Sequence, residues 1–375
     1  MYNTLTKIAI TGGPCSGKTT GLAKISSDLS DKGYEVIIVP EAATFIKNCG
    51  IKISDEHLSG YEFEKILFEF QFFLEKLFEE EYAEKLKDKD VIIVCDRGIV
   101  DGKAYLKDNE YIKLLNELVY DEIAVRDSYD AVFHLKTVAD GKEKFYTCSN
   151  NEARTETAEE ARQADKRTLN AWIGHPHLRV IDNSTDFDGK IDRLMAEIYA
   201  FLGLPVPIEA ERKYLILMPN LNTLIEKYNA VKSEIVQVYL KCDNENEEVR
   251  IRQRGEAGSY TYYLTKKIRR DDMSRYEIEE KISKDRYLSL LMDVDTNKNI
   301  VRKTRYCFMY ENQYFELDIY PFSDDKAILE IELTDETKEV ILPKEIFVIK
   351  EVTDDDNFKN SNIAKDTSVF FNELF

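Results

Sequence analysis

A glycine-rich segment, GGPCSGKT at residues 12–19, constrains this chain more than any other feature. It follows a short apolar strand at residues 7–10 and leads into a helical pattern at residues 18–32. Glycines at this spacing let backbone N–H groups point inward at the start of a helix, where the helix dipole already favours anions. Lys18 is predicted to reach the β- and γ-phosphates of a nucleotide, and the Thr19 hydroxyl to bind Mg²⁺.

Three further positions extend this predicted phosphate site. Asp96 follows an apolar strand at residues 91–95, where a carboxylate is predicted to bind the metal ion and support catalysis. Glu41 lies at the sheet edge where ligands bind, and it is predicted to orient an acceptor or act as a base, a structural role being equally open. Arg97 is predicted to contact an acceptor phosphate. The loop residues expected to bind the nucleotide or its metal are Gly12, Gly13, Gly17, Lys18, Thr19 and Thr20.

A charged stretch at residues 152–172 is predicted to form a helical lid. Arginines on such a lid stabilise the charge of a transferring phosphoryl group. Arg162 and Arg167 are the foremost candidates for this role, although most charged helices are merely solvated.

The first half of the chain alternates short apolar strands with helical stretches. Such alternation predicts a parallel sheet with helices on both faces, the α/β fold of P-loop nucleoside triphosphatases. The longest helical stretch is predicted at residues 62–87, and GLPVPI at residues 203–208 breaks the pattern. We therefore predict a nucleotide-binding domain at residues 1–205 and a second domain at residues 206–375. The strands are expected at residues 7–10, 35–40, 91–95, 131–135 and 179–181.

The second half has a different pattern, in which apolar and charged residues alternate along short strands. This alternation predicts an antiparallel sheet or barrel, with helices at residues 220–227 and 284–294 packed beside it. The strands are expected at residues 209–218, 234–241, 248–254, 259–267, 274–282, 303–310, 313–320 and 327–333.

The charges on one face of these strands are segregated by sign. Residues two apart on a strand share a face, and the acidic pairs lie on the first and last strands, with basic pairs between them. A merely solvated face gains nothing from such sorting, whereas acidic pairs suit Mg²⁺ or Mn²⁺ and clustered Lys and Arg suit a polyphosphate. The acids are Glu209, Glu211, Glu330 and Glu332, and the bases are Lys213, Arg250, Arg252, Arg275, Lys303 and Arg305. Whether Lys266 or Lys267 joins the bases depends on one residue of register.

The ordered motifs of this half resemble the CYTH, or triphosphate tunnel metalloenzyme, superfamily. They are E-x-E-x-K at 209–213, R-x-R at 250–252, T-x-K at 265–267, R-x-E-x-E at 275–279, K-x-R at 303–305, Asp318, E-x-E at 330–332 and the segment 351–364. The resemblance implies a closed β-barrel in which Glu209, Glu211, Glu330 and Glu332 bind metal. It further implies triphosphate binding by Lys213, Arg250, Arg252, Lys267, Lys303 and Arg305. The superfamily includes thiamine triphosphatases, tripolyphosphatases and class IV adenylyl cyclases, so the fold alone does not fix the reaction.

The first half resembles nucleoside and nucleotide kinases through its loop, Glu41, the Asp96–Arg97 pair and the predicted lid. The pairing of both halves resembles the TRPL translocation defect protein family, whose members are regarded as GTP- and phosphoinositide-binding regulators of trafficking. Plant triphosphate tunnel proteins share a similar fusion, so the pairing alone does not identify one role.

Composition limits the alternatives. The six cysteines lack CxxC spacing, the first residues lack a signal peptide pattern, and no apolar run is long enough to span a membrane, so we expect a cytoplasmic protein. A net charge of −19 argues against nucleic acid as a partner.

Two functions remain open from the sequence. The first is an enzyme whose first domain binds Mg²⁺ with ATP or GTP for hydrolysis or phosphoryl transfer, and whose second domain hydrolyses a tri- or polyphosphate with Glu211 as a catalytic group. The second is a regulator that binds a nucleotide and phosphoinositide membranes without catalysis. A two-step pathway, in which one domain consumes a phosphorylated product of the other, is neither supported nor excluded.

Overall fold

The chain forms two compact units, Met1–Ile198 and Tyr199–Phe375, in a computed structural model. The residues that the structure describes are 4–51, 53, 58–86, 88–141, 157–204, 210–242, 244, 247–271, 274–333 and 339–367. The domain division predicted between residues 205 and 206 falls outside these ranges and stays a prediction.

The first unit contains a five-stranded parallel sheet in the order β2-β3-β1-β4-β5. Its strands are buried because both faces are covered, as their continuous apolar runs predict. Since all five strands are parallel, the loops after them meet at one edge, and the strand order reverses beside β1, where ligands bind in open α/β sheets. The strands are β1 (Leu5–Thr11), β2 (Glu35–Val39), β3 (Val91–Asp96), β4 (Ala131–Leu135) and β5 (Leu178–Ile181).

Seven α-helices connect the described strands of this unit and follow them. They are α1 (Lys18–Asp31), α2 (Ala42–Asn48), α3 (Gly60–Lys76), α4 (Asp108–Leu118), α5 (Glu122–Arg126), α6 (Ala158–Ala171) and α7 (Phe187–Phe201). A 3₁₀ segment, Ile99–Ala104, follows β3.

Two helix predictions need correction. The helix predicted at residues 62–87 is α-helical only to Lys76 and continues as a π-helical turn, Leu77–Tyr82. That turn carries three successive glutamates, whose charges are unfavourable at a helix carboxyl end. The predicted lid helix begins at Ala158, where the Thr157 side chain caps it, and its first part, 152–156, lies outside the described residues.

The second unit is a nine-stranded antiparallel sheet in the order β10-β9-β8-β7-β11-β12-β13-β6-β14. Among the described residues no strand ladder joins β10 to β14, so closure of the sheet into a barrel stays a prediction. The strands are β6 (Ala210–Leu217), β7 (Val231–Tyr239), β8 (Glu247–Glu256), β9 (Ser259–Asp271), β10 (Ser274–Ile282), β11 (Val301–Tyr310), β12 (Gln313–Ile319), β13 (Lys326–Leu333) and β14 (Val348–Glu351).

One face of this sheet is apolar. Leu224 of α8 (Leu221–Tyr228) packs on it against Phe308, Phe315 and Leu329. Tyr287 of α9 (Lys284–Leu290) packs near the other edge of the sheet. A short α10 (Asn360–Ile363) lies near the end of the described chain. One apolar core therefore lies between these helices and one sheet face. The opposite face carries the charged residues together with a second apolar cluster that includes Leu215, Val301 and Ile328.

Candidate functional site

The glycine-rich loop between β1 and α1 has the geometry that the motif predicts. Gly12 adopts a φ of +143°, and a Cβ placed there would lie 2.1 Å from the Leu135 carbonyl oxygen. Gly17 adopts a φ of +97° at the N-cap of α1. Because L-residues with side chains avoid these conformations, both positions require glycine.

Lys18 folds back over the loop. Its Nζ donates to the carbonyl oxygens of Gly12, at 3.0 Å, and Gly13, at 3.2 Å. Burial and the nearby Arg97 guanidinium lower the pKa of the Lys18 ammonium to about 8. At neutral pH the side chain therefore remains largely charged and is held by neutral oxygens, which a phosphate can replace.

Asp96 and Thr19 line the same cavity. The Asp96 Oδ1 atom is buried and has no hydrogen-bond partner among the described residues. Burial raises the pKa of the Asp96 carboxyl to about 6, with Lys18 opposing the shift. An orphaned buried carboxylate oxygen near a hydroxyl fits Mg²⁺, which takes one or two protein oxygens together with substrate phosphates.

Arg97 is held by two carboxylates rather than by solvent. Its Nε donates to Glu41 Oε1 at 2.7 Å, and its Nη1 donates to Asp101 Oδ2 at 3.0 Å. Asp101 is itself fixed by Trp172 Nε1 at 2.6 Å and by Thr11 Oγ1 at 2.8 Å. Two of the five N–H donors of Arg97 are thus used by acids, and its contact with an acceptor phosphate stays a prediction.

Glu41 lines the cavity at the end of β2, as predicted. Its Oε2 accepts from Thr44 Oγ1 at 2.6 Å. Burial alone would raise the pKa of the Glu41 carboxyl, but Arg97 and Thr44 lower it below its usual value. The carboxylate is thus ionised and oriented by two neighbours.

These groups surround a cavity of about 1320 Å³. Its walls include the predicted Gly17, Lys18, Thr19, Thr20, Glu41, Asp96 and Arg97, whereas Gly12 and Gly13 are not among the lining residues. Arg162 and Arg167 are not among the lining residues. The Arg162 Nη1 donates to the Ala139 carbonyl at 2.8 Å, and the Arg167 Nε donates to the Ala104 carbonyl at 3.0 Å. Their roles on phosphate stay predictions.

Asp165 fixes the start of the loop, a role that the sequence analysis missed. Its Oδ1 accepts from the Gly13 backbone N–H at 2.8 Å and lies 3.2 Å from His134 Nε2. Its Oδ2 lies 3.0 Å from Lys136 Nζ. Burial would raise the pKa of the Asp165 carboxyl, but His134 and Lys136 hold it well below the usual range.

Lys190 of α7 supports the loop from another side and was also missed. It is almost fully buried, and its Nζ donates to the carbonyls of Ser16, at 3.0 Å, and Lys136, at 2.5 Å. Burial lowers the pKa of the Lys190 ammonium to about 8. No sequence spacing indicates Asp165 or Lys190, because their partners come from distant strands.

In the second unit, strand register places the predicted charged residues on one face of the sheet. Residues opposite each other on antiparallel strands share a face. Lys213 lies opposite Glu330, and Arg305 lies opposite Asp318. Arg252 lies opposite Tyr263, and the same register puts Lys267, not Lys266, on this face. The set that the register places there is Glu211, Lys213, Arg250, Arg252, Lys267, Lys303, Arg305, Glu330 and Glu332.

The middle of this charged face is shielded from solvent. The Lys303 side chain is 3% exposed and the Asp318 side chain is fully buried. Burial and the neighbouring Arg305 lower the pKa of Lys303. A sheet face open to water would leave such side chains exposed, so this face is not simply a wet exterior.

Buried ion pairs hold the middle of the face together. The Arg305 Nη2 lies 2.6 Å from Asp318 Oδ2 and 2.8 Å from Glu330 Oε2. The Lys213 Nζ lies 2.9 Å from Glu330 Oε1, and Lys303 pairs with Asp318. Burial alone would raise the pKa of the Glu330 carboxyl, but Lys213, Lys303 and Arg305 hold it well below its usual range. Glu330 is therefore occupied by cations, which counts against it as a free metal ligand in this state.

A second group of charges lies toward the β10 edge. The Arg252 Nη2 lies 2.5 Å from Glu279 Oε2, which also accepts from Thr265 Oγ1 at 2.8 Å. Arg250 and Lys267 lie on neighbouring strands of the same face. Arg275 lies in β10, but its side chain is outside the described residues.

The outermost acids of the charged face lie together. Glu211 of β6 is directly opposite Glu332 of β13, and both are exposed. Glu209, the remaining predicted ligand, lies outside the described residues. Across the described parts of the chain, no three His, Cys, Asp or Glu side chains converge as a metal site. The Glu211–Glu332 pair fits a divalent cation in its oxygen chemistry, whereas the four-carboxylate site stays a prediction.

Comparison with known proteins bears on the first unit. Residues 7–190 match the family model described as an AAA domain. This part of the chain is similar to AAA-type nucleotide-binding domains. No curated protein matches the sequence. Among the described residues, no helix has both the length and the apolar character needed to cross a lipid bilayer.

Solved structures also resemble parts of the chain. One is the crystal structure of the inorganic triphosphatase NE1496, with 26% identity, a TM-score of 0.32, and coverage of 42% of this chain and 95% of that chain. Another is the PH1819 protein from Pyrococcus horikoshii OT3, with 25% identity, a TM-score of 0.27, and coverage of 34% of this chain and 80% of that chain. TM-scores this low support no conclusion about the function of this protein.

Proposed function

We propose that this protein is an Mg²⁺-dependent phosphate-transfer enzyme with two sites. The AAA-type domain binds ATP or GTP and transfers or hydrolyses its terminal phosphoryl group. The charged face of the second unit binds a linear tri- or polyphosphate and hydrolyses it. The domains are proposed at residues 1–205 and 206–375, as predicted above.

At the first site, the loop N–H groups and Lys18 bind the phosphates, with Gly12, Gly13, Gly17 and Thr20 shaping the loop. Thr19 and Asp96 would hold Mg²⁺, which neutralises charge on the phosphates. Glu41, kept ionised by Arg97, accepts the proton of the attacking hydroxyl or water. Removal of that proton frees an electron pair for the new bond to phosphorus, and the leaving diphosphate takes the electron pair of the broken bond.

At the second site, Lys213, Arg252, Lys303 and Arg305 neutralise the triphosphate, supported by Arg250, Lys267 and Arg275. Glu209, Glu211, Glu330 and Glu332 would hold Mg²⁺ or Mn²⁺, which polarises phosphate oxygens. Glu211 is proposed to accept the proton of the attacking water. A triphosphate that enters competes with Glu330 and Asp318 for the cations that these acids now neutralise.

One observation supports the second proposal: Lys303 and Arg305 are buried on a sheet face that also accommodates apolar side chains, such as Val301 and Ile328. Burying charges that a core does not need costs free energy. Replacing a buried ion pair with apolar residues often leaves stability unchanged or higher. Retained cations in that position favour a ligand-binding role over a structural one.

The test measures phosphate release by the full chain from ATP, GTP and tripolyphosphate, with Mg²⁺, with Mn²⁺ and with chelator. Lys18→Ala is expected to abolish nucleotide turnover and spare tripolyphosphate turnover, and Arg252→Ala is expected to do the reverse. Release that neither variant reduces, or no release with either metal ion, overturns the corresponding part of the proposal.

The regulatory alternative rests on the family resemblance alone and predicts a different outcome. Vesicles containing phosphoinositides would bind the protein in a Lys213-dependent manner, without hydrolysis of any triphosphate. We therefore include vesicle co-sedimentation of the wild type and Lys213→Ala as the second arm of the test. Selective, Lys213-dependent binding without turnover would replace the enzymatic assignment of the second unit.

A further inference from the structure

One wall of the cavity beside the glycine-rich loop takes no part in the proposed contacts with the nucleotide. This wall comes from α2, α3 and the 3₁₀ segment Ile99–Ala104, whereas the loop and α1 provide the phosphate-binding wall. Its apolar part includes Phe63 and Leu67. Its charged or hydroxyl-bearing members are Glu41, Thr44, Lys47, Glu64, Arg97, Asp101 and Tyr105.

Glu64 is the member of this wall that points most directly to a ligand. It is 8% exposed, yet it lines the cavity and makes no hydrogen bond to another described residue. Its Oε2 lies over Gly102, where an added Cβ would approach it to 3.1 Å. Burial raises the pKa of the Glu64 carboxyl to about 7. Its carboxyl oxygens therefore face the cavity, where a ligand hydroxyl can replace water as their hydrogen-bond partner.

The charge of this wall selects against an anionic ligand. Its arginine, Arg97, is already bound by Glu41 and Asp101. Lys47 is exposed and lies 5.8 Å from the centre of the Phe63 ring. Glu64 adds a third carboxyl to the same wall. The wall thus has three carboxyls, Glu41, Glu64 and Asp101, against two cations, so a phosphate or carboxylate on the ligand would meet a net repulsion.

We propose that this wall binds an uncharged acceptor that bears hydroxyl groups and an apolar part. One hydroxyl receives the phosphoryl group, Glu64 hydrogen-bonds to a second, and Phe63 and Leu67 contact the apolar part. The acceptor oxygen bonds to the terminal phosphorus as the bond to the β,γ-bridging oxygen breaks. The nucleoside diphosphate leaves with that electron pair, and the proton passes to Glu41. This assignment rests on the proposed function of the nucleotide site.

The test is calorimetric titration of the full chain, saturated with Mg²⁺ and a non-hydrolysable ATP or GTP analogue. The probes are adenosine, guanosine, glucose, myo-inositol and glycerol, each compared with its own monophosphate. We expect at least one uncharged probe to saturate the protein and to bind more tightly than its phosphate. Tighter binding of the phosphates, or saturation by none of the uncharged probes, overturns the proposal.

A matched pair of variants tests the assigned residue. Glu64→Gln should weaken binding of the uncharged probe about tenfold, the effect of losing a hydrogen bond to a charged group, and leave nucleotide affinity within about twofold. Glu69→Gln makes the same chemical change at an exposed position of the same helix and should alter neither affinity. Unchanged probe binding in Glu64→Gln, or equal loss of probe and nucleotide, contradicts the assignment.

Two controls separate this inference from the proposed function. If Glu64→Gln does not fold, Glu64→Asp replaces it, because a shorter acid keeps the charge but withdraws the oxygen from the ligand. Failure of Lys18→Ala to weaken nucleotide binding would refute the nucleotide site itself. Normal nucleotide binding without preference for uncharged probes would refute only the acceptor assignment.

Discussion

Glu211 and Glu332 face each other directly across the β6–β13 pair. Opposite residues on antiparallel strands have Cβ atoms about 5 Å apart, so like charges there repel. The next pair along the same two strands, Lys213 and Glu330, is attractive. The Lys213 Nζ also lies 3.3 Å from Glu211 Oε1 and reduces this repulsion, which a divalent cation bound by both carboxylates would reduce further.

The first prediction concerns this repulsive pair. Without divalent metal, Glu332→Gln should change the stability of the second unit by less than about 1 kcal/mol, because Lys213 already reduces the repulsion that the variant removes. With Mg²⁺ or Mn²⁺, the wild type should gain thermal stability that the variant lacks. Thermal unfolding with chelator and with each metal measures both effects. Glu226→Gln, an exposed change on α8, is the control, and equal metal responses in all three proteins would contradict the prediction.

The second prediction concerns Lys18. Lys18→Ala removes the cation that now donates to two loop carbonyls, so nucleotide affinity should fall at least about tenfold, as expected for a lost charge-assisted phosphate contact. Lys24→Ala, on the exposed side of the same helix, should bind nucleotide like the wild type. Fluorescent-nucleotide titration compares the three proteins. Comparable affinities in all of them would exclude this lysine as a phosphate ligand.

The third prediction concerns the buried cations of the charged face. Arg305→Met should destabilise the second unit by about 3–5 kcal/mol, because it leaves Asp318 and Glu330 buried with fewer compensating charges. The double variant Arg305→Met with Asp318→Asn should recover part of this loss, since it removes one uncompensated acid. Urea unfolding followed by circular dichroism measures both. A single variant as stable as the wild type would mean that these acids are not shielded as the structure indicates.

The fourth prediction is a pH dependence that comes from Glu64. The pKa of its carboxyl is raised from 4.5 to about 7 in the fold, so the folded state binds the proton more tightly than the unfolded state. Stability should therefore fall as pH rises from about 4.5 to about 7, with a cost of up to about 3 kcal/mol above that range. Glu64→Gln should remove this loss, so that it exceeds the wild type in stability at pH 8 but not at pH 4.

Denaturant unfolding across that pH range tests the assignment. Glu69→Gln, which is exposed, should follow the wild-type pH profile. If Glu64→Gln parallels the wild type at every pH, the Glu64 carboxyl is not perturbed by burial.

Local patterns allowed much of both sites to be predicted. The glycine loop has a local motif at residues 12–19, and that motif indicated its conformation, although not the supporting contacts of Asp165 and Lys190. The charged face follows from period-two alternation, which indicates which residues share a face but not their partners. The pairing of Lys303 with Asp318, and the choice of Lys267 over Lys266, required the register between strands.

Tertiary contacts account for what the sequence analysis missed. Glu64 looks like one acid among many on α3, and only its burial against Gly102 distinguishes it. β14, the sequence VIKE, lacks alternation and forms because β6 offers it an edge. Arg97 has the positive charge typical of an anion-binding residue. In the fold, however, it forms ion pairs with Glu41 and Asp101.

The hydrogen bond from the Gly13 backbone N–H to the Asp165 carboxylate connects the glycine-rich loop to α6. The same helix carries Arg162 and Arg167. A rotation of α6 that moved these guanidinium groups would therefore also move the hydrogen-bond acceptor of Gly13. Conversely, a bound phosphate that moved Gly13 would displace α6 through the same hydrogen bond. The Asp165 carboxylate thus links the glycine-rich loop to the helix that carries both arginines.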